Sequence, residues 1–131
     1  MNKADIICNL KANSYSFEDN GEQIFVRLAR GFYLNLYLEN NSVVKNEDVV
    51  KQFGLTDGKN FKAALKINMI VYLILSLPIV LLCIFNPNFF SMGGKYFIIM
   101  IIAVILSQLG RFWYNNNRLS KIKKLLNLKE S

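Results

Sequence analysis

The residues able to do chemistry in this chain are few. Its 131 residues include no histidine, which excludes Ser-His-Asp and Cys-His nucleophiles and His-ligated zinc or haem. Of the two cysteines, Cys8 lies in a polar N-terminal stretch and Cys83 in an apolar run. They are expected on different sides of a membrane, so neither a disulfide nor a two-cysteine metal site forms within one chain. Glu18, Asp19 and Glu22 gather at an Asn20-Gly21 turn. Such a trio could serve as an acid pair or hold a divalent cation, but it lacks the spacing of a calcium loop, and acids at a turn ordinarily face solvent. Gly54-Leu-Thr-Asp-Gly58-Lys59 resembles a phosphate loop superficially. It is one residue short, and no strand is expected to lead into it. No nucleophile has a base beside it. We therefore expect no catalytic residue, no metal and no cofactor, and a protein that is not an enzyme.

The remaining polar residues of interest lie inside two apolar runs, Ile67–Phe85 and Tyr96–Tyr114, each of 19 residues. At 1.5 Å per residue each spans about 28 Å, close to a hydrocarbon core of roughly 30 Å. Two membrane spans follow, at 67–85 and 96–114, joined by an outer loop at 86–95. At 100° per residue, Asn68, Tyr72, Ser76 and Cys83 share one stripe of the first helix, and Pro78 is expected to kink it. Ala103, Ser107, Gly110, Arg111 and Tyr114 share a stripe of the second. Ala103 and Ser107 have the small-xxx-small spacing that lets helices approach closely in lipid. These stripes either pack the hairpin or line an oligomeric interior. Gln108 lies off the stripe, and a glutamine facing lipid needs a partner on another helix. Arg111, near the inner interface, can snorkel to phosphates.

Charge places the ends. The chain carries a formal +7, divided unevenly. Residues 1–60 hold seven bases and eight acids, net −1, and residues 61–131 hold nine bases and one acid, net +8. The bases flank apolar runs instead of mixing with aromatics on a soluble face, so no nucleic-acid partner is expected. Lys59, Lys62 and Lys66 precede the first span and Arg118, Lys121, Lys123 and Lys124 follow the second, whereas the loop has only Lys95. The positive-inside rule puts both termini in the cytoplasm of a multi-pass protein of the inner (plasma) membrane. Trp113 and its aromatic neighbours mark the inner boundary.

The elements around these groups make a small N-terminal cytosolic α+β module, residues 1–60, on a transmembrane α-helical hairpin, residues 61–115. Asn20-Gly21 predicts a hairpin of strands at 15–19 and 22–30. Phe32–Glu39 alternates with a clean period of two and predicts a third strand with Tyr33 and Tyr37 on its polar face, a candidate docking surface. Asn46 is expected to cap a short helix over Glu47–Phe53 ended by Gly54, Thr56 a second one leading into the membrane, and Ala4–Leu10 to be strand or helix. At about 60 residues the module is marginal alone and should dock on a neighbour. Residues 116–131 form a basic amphipathic tail, broken from the span at Asn115–Asn117. Together with Trp113, its Arg118, Lys121, Lys123 and Lys124 anchor it to an anionic inner leaflet. The alternative is one long helix that bundles with its copies.

In organisation alone the chain is similar to small bacterial membrane effectors, toxins and immunity proteins. The function expected is non-enzymatic: self-assembly through the hairpins, with the module sensing a ligand or partner, in a membrane-perturbing or pore-forming effector. The alternative is an accessory or immunity subunit docked on a larger membrane protein.

Overall fold

A computed structural model describes residues 1–52 and 54–128. Helix α1, Lys3–Ala12, is followed by strands β1 (Phe17–Asp19), β2 (Gln23–Ala29), β3 (Phe32–Glu39) and β4 (Ser42–Val50). Then come α2 (Phe61–Phe85), the single turn α3 (Pro87–Phe89), a wide helical turn at Phe90–Gly94, and α4 (Lys95–Leu125). The strands form one antiparallel sheet in the order β1-β2-β3-β4.

The sheet follows from its turns and its alternation. Gly21 takes the left-handed conformation at the first turn, and Asp19 Oδ1 accepts the Gly21 amide at 2.8 Å. At the last turn Asn40 and Asn41 both have positive φ, 51° and 63°, the requirement of a tight hairpin turn that asparagine tolerates well. Along β2 and β3 every second residue (Ile24, Val26 and Leu28; Leu34 and Leu36) is buried.

The expected helix over Glu47–Phe53 is not there. Residues 42–50 are a fourth strand, paired with β3 from Phe32↔Val50 to Glu39↔Ser42. The Asn-Asn turn folds the chain straight back on β3, and β4 is an edge strand, where Lys45, Glu47 and Asp48 can reach water. Phe53 lies outside the described residues. Thr56 caps no helix; it is buried and its hydroxyl accepts Gln52 Nε2 at 2.9 Å. The cap of α2 is Asn60, whose Oδ1 accepts the Ala63 amide at 2.7 Å. Residues 3–12 resolve as helix, with Ile6 and Leu10 facing inward.

Two helices, Phe61–Phe85 and the 39-residue stretch Pro87–Leu125, are long and apolar enough to cross a membrane. Only 6% of the most apolar window of each is buried within the chain. Core helices of a soluble protein would be covered, so this open apolar surface points to a membrane location. The first is continuous through Pro78.

The second differs from expectation at its end. Residues 95–125 form one helix, unbroken at Asn115–Asn117, and Leu119, Ile122 and Leu126 join the same core cluster as Ile6, Leu10, Ile24, Leu34 and Phe61. The tail's apolar side therefore covers the sheet instead of a leaflet. Asparagines cost only a few tenths of a kcal/mol each in a helix interior, and burying three large side chains offsets that several times over.

Candidate functional site

Two places bring the singled-out residues together: the seam between α2 and α4, and the junction where both helices meet the sheet. On α2, Asn68, Tyr72, Ser76 and Cys83 are partly or fully buried and form the face turned to α4. Ser76 Oγ donates to the Leu73 carbonyl at 3.0 Å. This occupies one carbonyl in the turn that Pro78 leaves short of an amide donor. At the loop end of the hairpin Gly94 sits against Cys83 so tightly that a Cβ there would lie 2.8 Å from the Cys83 Sγ.

Gln108 finds its partner inside the chain: its Nε2 donates to the Tyr72 hydroxyl at 3.4 Å. The seam of α4 runs through Ile101, Ile105, Gln108, Phe112, Asn115, Leu119, Ile122 and Leu126, all buried or half-buried. These positions alternate steps of four and three, the repeat of helices that pack lengthwise. The same stripe thus serves α2 in its first half and the sheet in its second. The other α4 stripe, Ala103, Ser107, Gly110, Arg111 and Tyr114, is exposed, and a side chain added at Gly110 would meet nothing within 4 Å. Of the two stripes, only the one on α2 packs the hairpin.

The basic residues divide. Arg118 Nη1 donates to the Leu28 carbonyl, and its guanidinium lies 5.8 Å from the Tyr15 and Tyr114 ring centres. Lys123 is buried. Arg111 stands 5.8 Å from the Phe32 ring, at the top of β3. Lys121, Lys124 and Trp113 remain exposed. Of the anchoring set, then, Arg118 and Lys123 are built into the fold, and Lys121, Lys124 and Trp113 stay on its surface.

Tyr33 and Tyr37 share the open face of the sheet with Phe25, which the sequence reading passed over although it alternates out of phase with buried Ile24 and Val26. Lys51 Nζ lies 3.5 Å from the Phe25 ring centre and 5.4 Å from that of Tyr33. Tyr37 donates to Glu47 Oε2 at 3.2 Å, and Lys45 pairs with Glu47. The Lys45 bond, then that from Tyr37, holds the Glu47 carboxyl below its ordinary value, and Glu47 raises Lys45 in return. Beneath these side chains Asn35 is 4% exposed, and its Oδ1 accepts no hydrogen bond.

Of the acids at the first turn, Asp19 is tied down, while Glu18 and Glu22 are exposed. Lys3 Nζ pairs with Asp19 Oδ1 at 2.8 Å and also donates to the Gly21 carbonyl. The Lys3 bond, then the Gly21 amide, lowers the Asp19 carboxyl. Among the described residues no three His, Cys, Asp or Glu side chains converge as a metal site would need. Contrary to expectation, a strand, β4, does lead into Gly54–Lys59. The loop still lacks a phosphate cradle, because the amides of Asp57, Gly58 and Lys59 donate to Gly54, Val50 and Thr56 carbonyls. Asp48, missed from the sequence, is the acid that matters locally: its Oδ2 accepts the Phe61 amide at 2.7 Å and fixes the start of α2 to the sheet.

No family model matches the chain, and no curated protein or solved structure matches it.

Proposed function

We propose that this chain is a non-enzymatic, multi-pass protein of the inner (plasma) membrane, with both termini cytoplasmic, that self-assembles through its hairpins while the N-terminal module meets a ligand or partner. One observation carries the reading: α4 is a single 31-residue helix that serves first as a membrane segment and then as the core helix of the sheet. An event on the module is thereby coupled to the hairpin without a flexible joint. The orientation rests on the excess of Lys and Arg at the hairpin's open end. The lack of catalysis rests on the missing histidine and on acids engaged in structural bonds, namely Asp19, Glu47 and Asp48.

Self-association does not draw on Gln108, whose partner is Tyr72 of the same chain. It draws on the uncovered stripe Ala103, Ser107 and Gly110, whose small side chains permit close backbone approach. The protein is expected to run as a discrete oligomer when its mass is measured in detergent, and Gly110→Leu with Ser107→Leu is expected to reduce it to monomer. A monomer that co-purifies with a larger membrane protein instead supports the second reading, an accessory or immunity subunit using the same stripe. A monomer without any partner overturns both.

A further inference from the structure

One end of the sheet stands level with the boundary of the two spans. There the Phe32 ring lies 5.0 Å from that of Phe61 and 5.8 Å from the Arg111 guanidinium. Phe61 precedes the span read as starting at Ile67 by about 9 Å of helix, and Arg111 lies about 4.5 Å inside the span read as ending at Tyr114. The polar zone of a bilayer leaflet is roughly 5–8 Å thick, so the start of β3 falls within it. Gln52, just beyond β4, is there too, lining a small gap with Asn68, Gln108 and Arg111.

Two chain reversals project from this end. Arg30 and Gly31 turn β2 into β3, with Arg30 exposed and the Gly31 carbonyl accepting the Lys51 amide at 2.8 Å. The second is Gly54–Lys59, which folds over Gln52. The Gln52 side-chain amide donates to the Thr56 hydroxyl at 2.9 Å, and its backbone amide donates to Asp57 Oδ1 at 3.2 Å. So tethered, the loop still presents Leu55 outward, 75% exposed. Among the described residues, no other large apolar side chain outside the two membrane helices is as open. Arg30, Lys51, Lys59 and Lys62 surround these reversals. The acids near them, Asp48 and Asp57, already accept the Phe61 and Gln52 amides.

We propose that this end of the module seats on the anionic inner leaflet, with Leu55 inserted at the headgroup boundary and Arg30 and Lys59 on lipid phosphates. An open leucine among bases matches a surface that is anionic outside and apolar beneath. The loop thus makes the contact that the tail's apolar side, committed to the sheet, does not. The seat rests on the membrane reading above.

The full-length protein is reconstituted in vesicles of phosphatidylcholine and phosphatidylglycerol brominated high on their acyl chains, which quench tryptophan on contact. Trp113 is the only native tryptophan and reports on the spans. Leu55→Trp and Val44→Trp are each made with Trp113→Phe; Val44, 57% exposed, lies toward the far end of β4. Brominated lipid is expected to quench the Leu55→Trp protein and aqueous acrylamide to spare it, with the reverse for Val44→Trp. If Leu55→Trp behaves as Val44→Trp while native Trp113 is quenched by lipid, the seat is overturned and the membrane reading stands. Native Trp113 untouched by lipid refutes the membrane reading, and the seat with it. Brominating one lipid at a time then reads which headgroups surround the loop. One Arg or Lys near an anionic surface is worth about fivefold, so adding Arg30→Gln to Leu55→Trp should lower the excess quenching by phosphatidylglycerol about fivefold. Lys45, about 16 Å further along the strand, lies beyond the screening length of about 10 Å, and Lys45→Gln should lower it by no more than about twofold. Equal losses, or no excess of phosphatidylglycerol before either change, overturn the seat.

Discussion

Replacing Ile122 by alanine separates the tail as a core element from the tail as a membrane anchor. Ile122 is fully buried in the cluster that joins α1, the sheet and α4. The change removes three carbon groups, worth about 2.4 kcal/mol at roughly 0.8 kcal/mol each. The cavity left behind raises the cost to about 3–4 kcal/mol. A module of this size, roughly 75 residues with the tail included, has a total stability of about 4–11 kcal/mol. Ile122→Ala therefore removes about a quarter of it or more, a fall of about 12–32 °C in melting temperature for so small a unit. The assay is trypsin resistance against temperature in mild detergent, since the backbone at Arg27 and Lys45, paired to β3 in the folded sheet, becomes cleavable when the sheet opens. Lys124→Ala, on the exposed side of the same helix, should stay within about 0.5 kcal/mol. If the two variants melt together, α4 does not support the sheet and the packing described here is wrong.

Gly94→Ala forces a Cβ to within 2.8 Å of the Cys83 Sγ; it should loosen the loop end of the hairpin at a cost of about 1–3 kcal/mol, read as faster labelling of Cys83 by a lipid-soluble maleimide. Asp48→Ala strands the Phe61 amide and should lower the stability of the module by about 1–2 kcal/mol in urea titration, with Asp48→Asn closer to wild type. The carboxyls of Asp19 and Glu47 are lowered in the folded chain, so their contribution is complete above the ordinary carboxylate range near pH ~4 and is lost as pH falls through their folded values. Asp19→Asn with Glu47→Gln should flatten that acid limb of the melting curve. Residues 1–60 expressed alone should give a disordered circular dichroism spectrum at neutral pH, and a sheet signature there would show that α4 is dispensable.

Much of this architecture is legible in the residues, for identifiable reasons. The alternation of Phe32–Glu39 and the Asn20-Gly21 turn are local signals, and local sterics decide them. The spans are legible because a bilayer demands length and apolarity and little else. Two things are not. Asn46-Glu47-Asp48 carries the local signature of a helix start, yet it is strand, because the Asn40-Asn41 turn and pairing along β3 override local preference. Asp48 does help begin a helix, but one thirteen residues further on. The neighbour that covers the marginal module is the other. Leu119, Ile122 and Leu126 were visible as an apolar face, but their phase continues from Gln108, Phe112 and Asn115, and only that long repeat shows one stripe serving two neighbours. Gln108 is the reverse case: its need for a partner was legible, and the identity of that partner, Tyr72, depended on how the hairpin closes.

Sharing α4 between the hairpin and the module also orders the assembly of the molecule. The sheet strands leave the ribosome first, but the face formed by Ile24, Val26, Leu34 and Leu36 is covered in part by residues 119–126, close to a hundred positions later. Until then the chain holds a two-layer unit with an incomplete second layer, too small to bury enough surface on its own. Closing it means that α2 and α4 have come together, which brings Phe61, Ala64 and Leu119 to the same sheet. A correctly folded module is therefore a report that the hairpin has closed. Asn115 marks the crossing point: it is 2% exposed and sits in the seam between Phe112, which faces α2, and Leu119, which faces the sheet. Its Oδ1 accepts no hydrogen bond, so the register of α4 is held by the bonds on either side of it. In this chain the register is what must be held, since a shift of α4 by one turn would separate Gln108 from Tyr72 and Arg118 from the Leu28 carbonyl together.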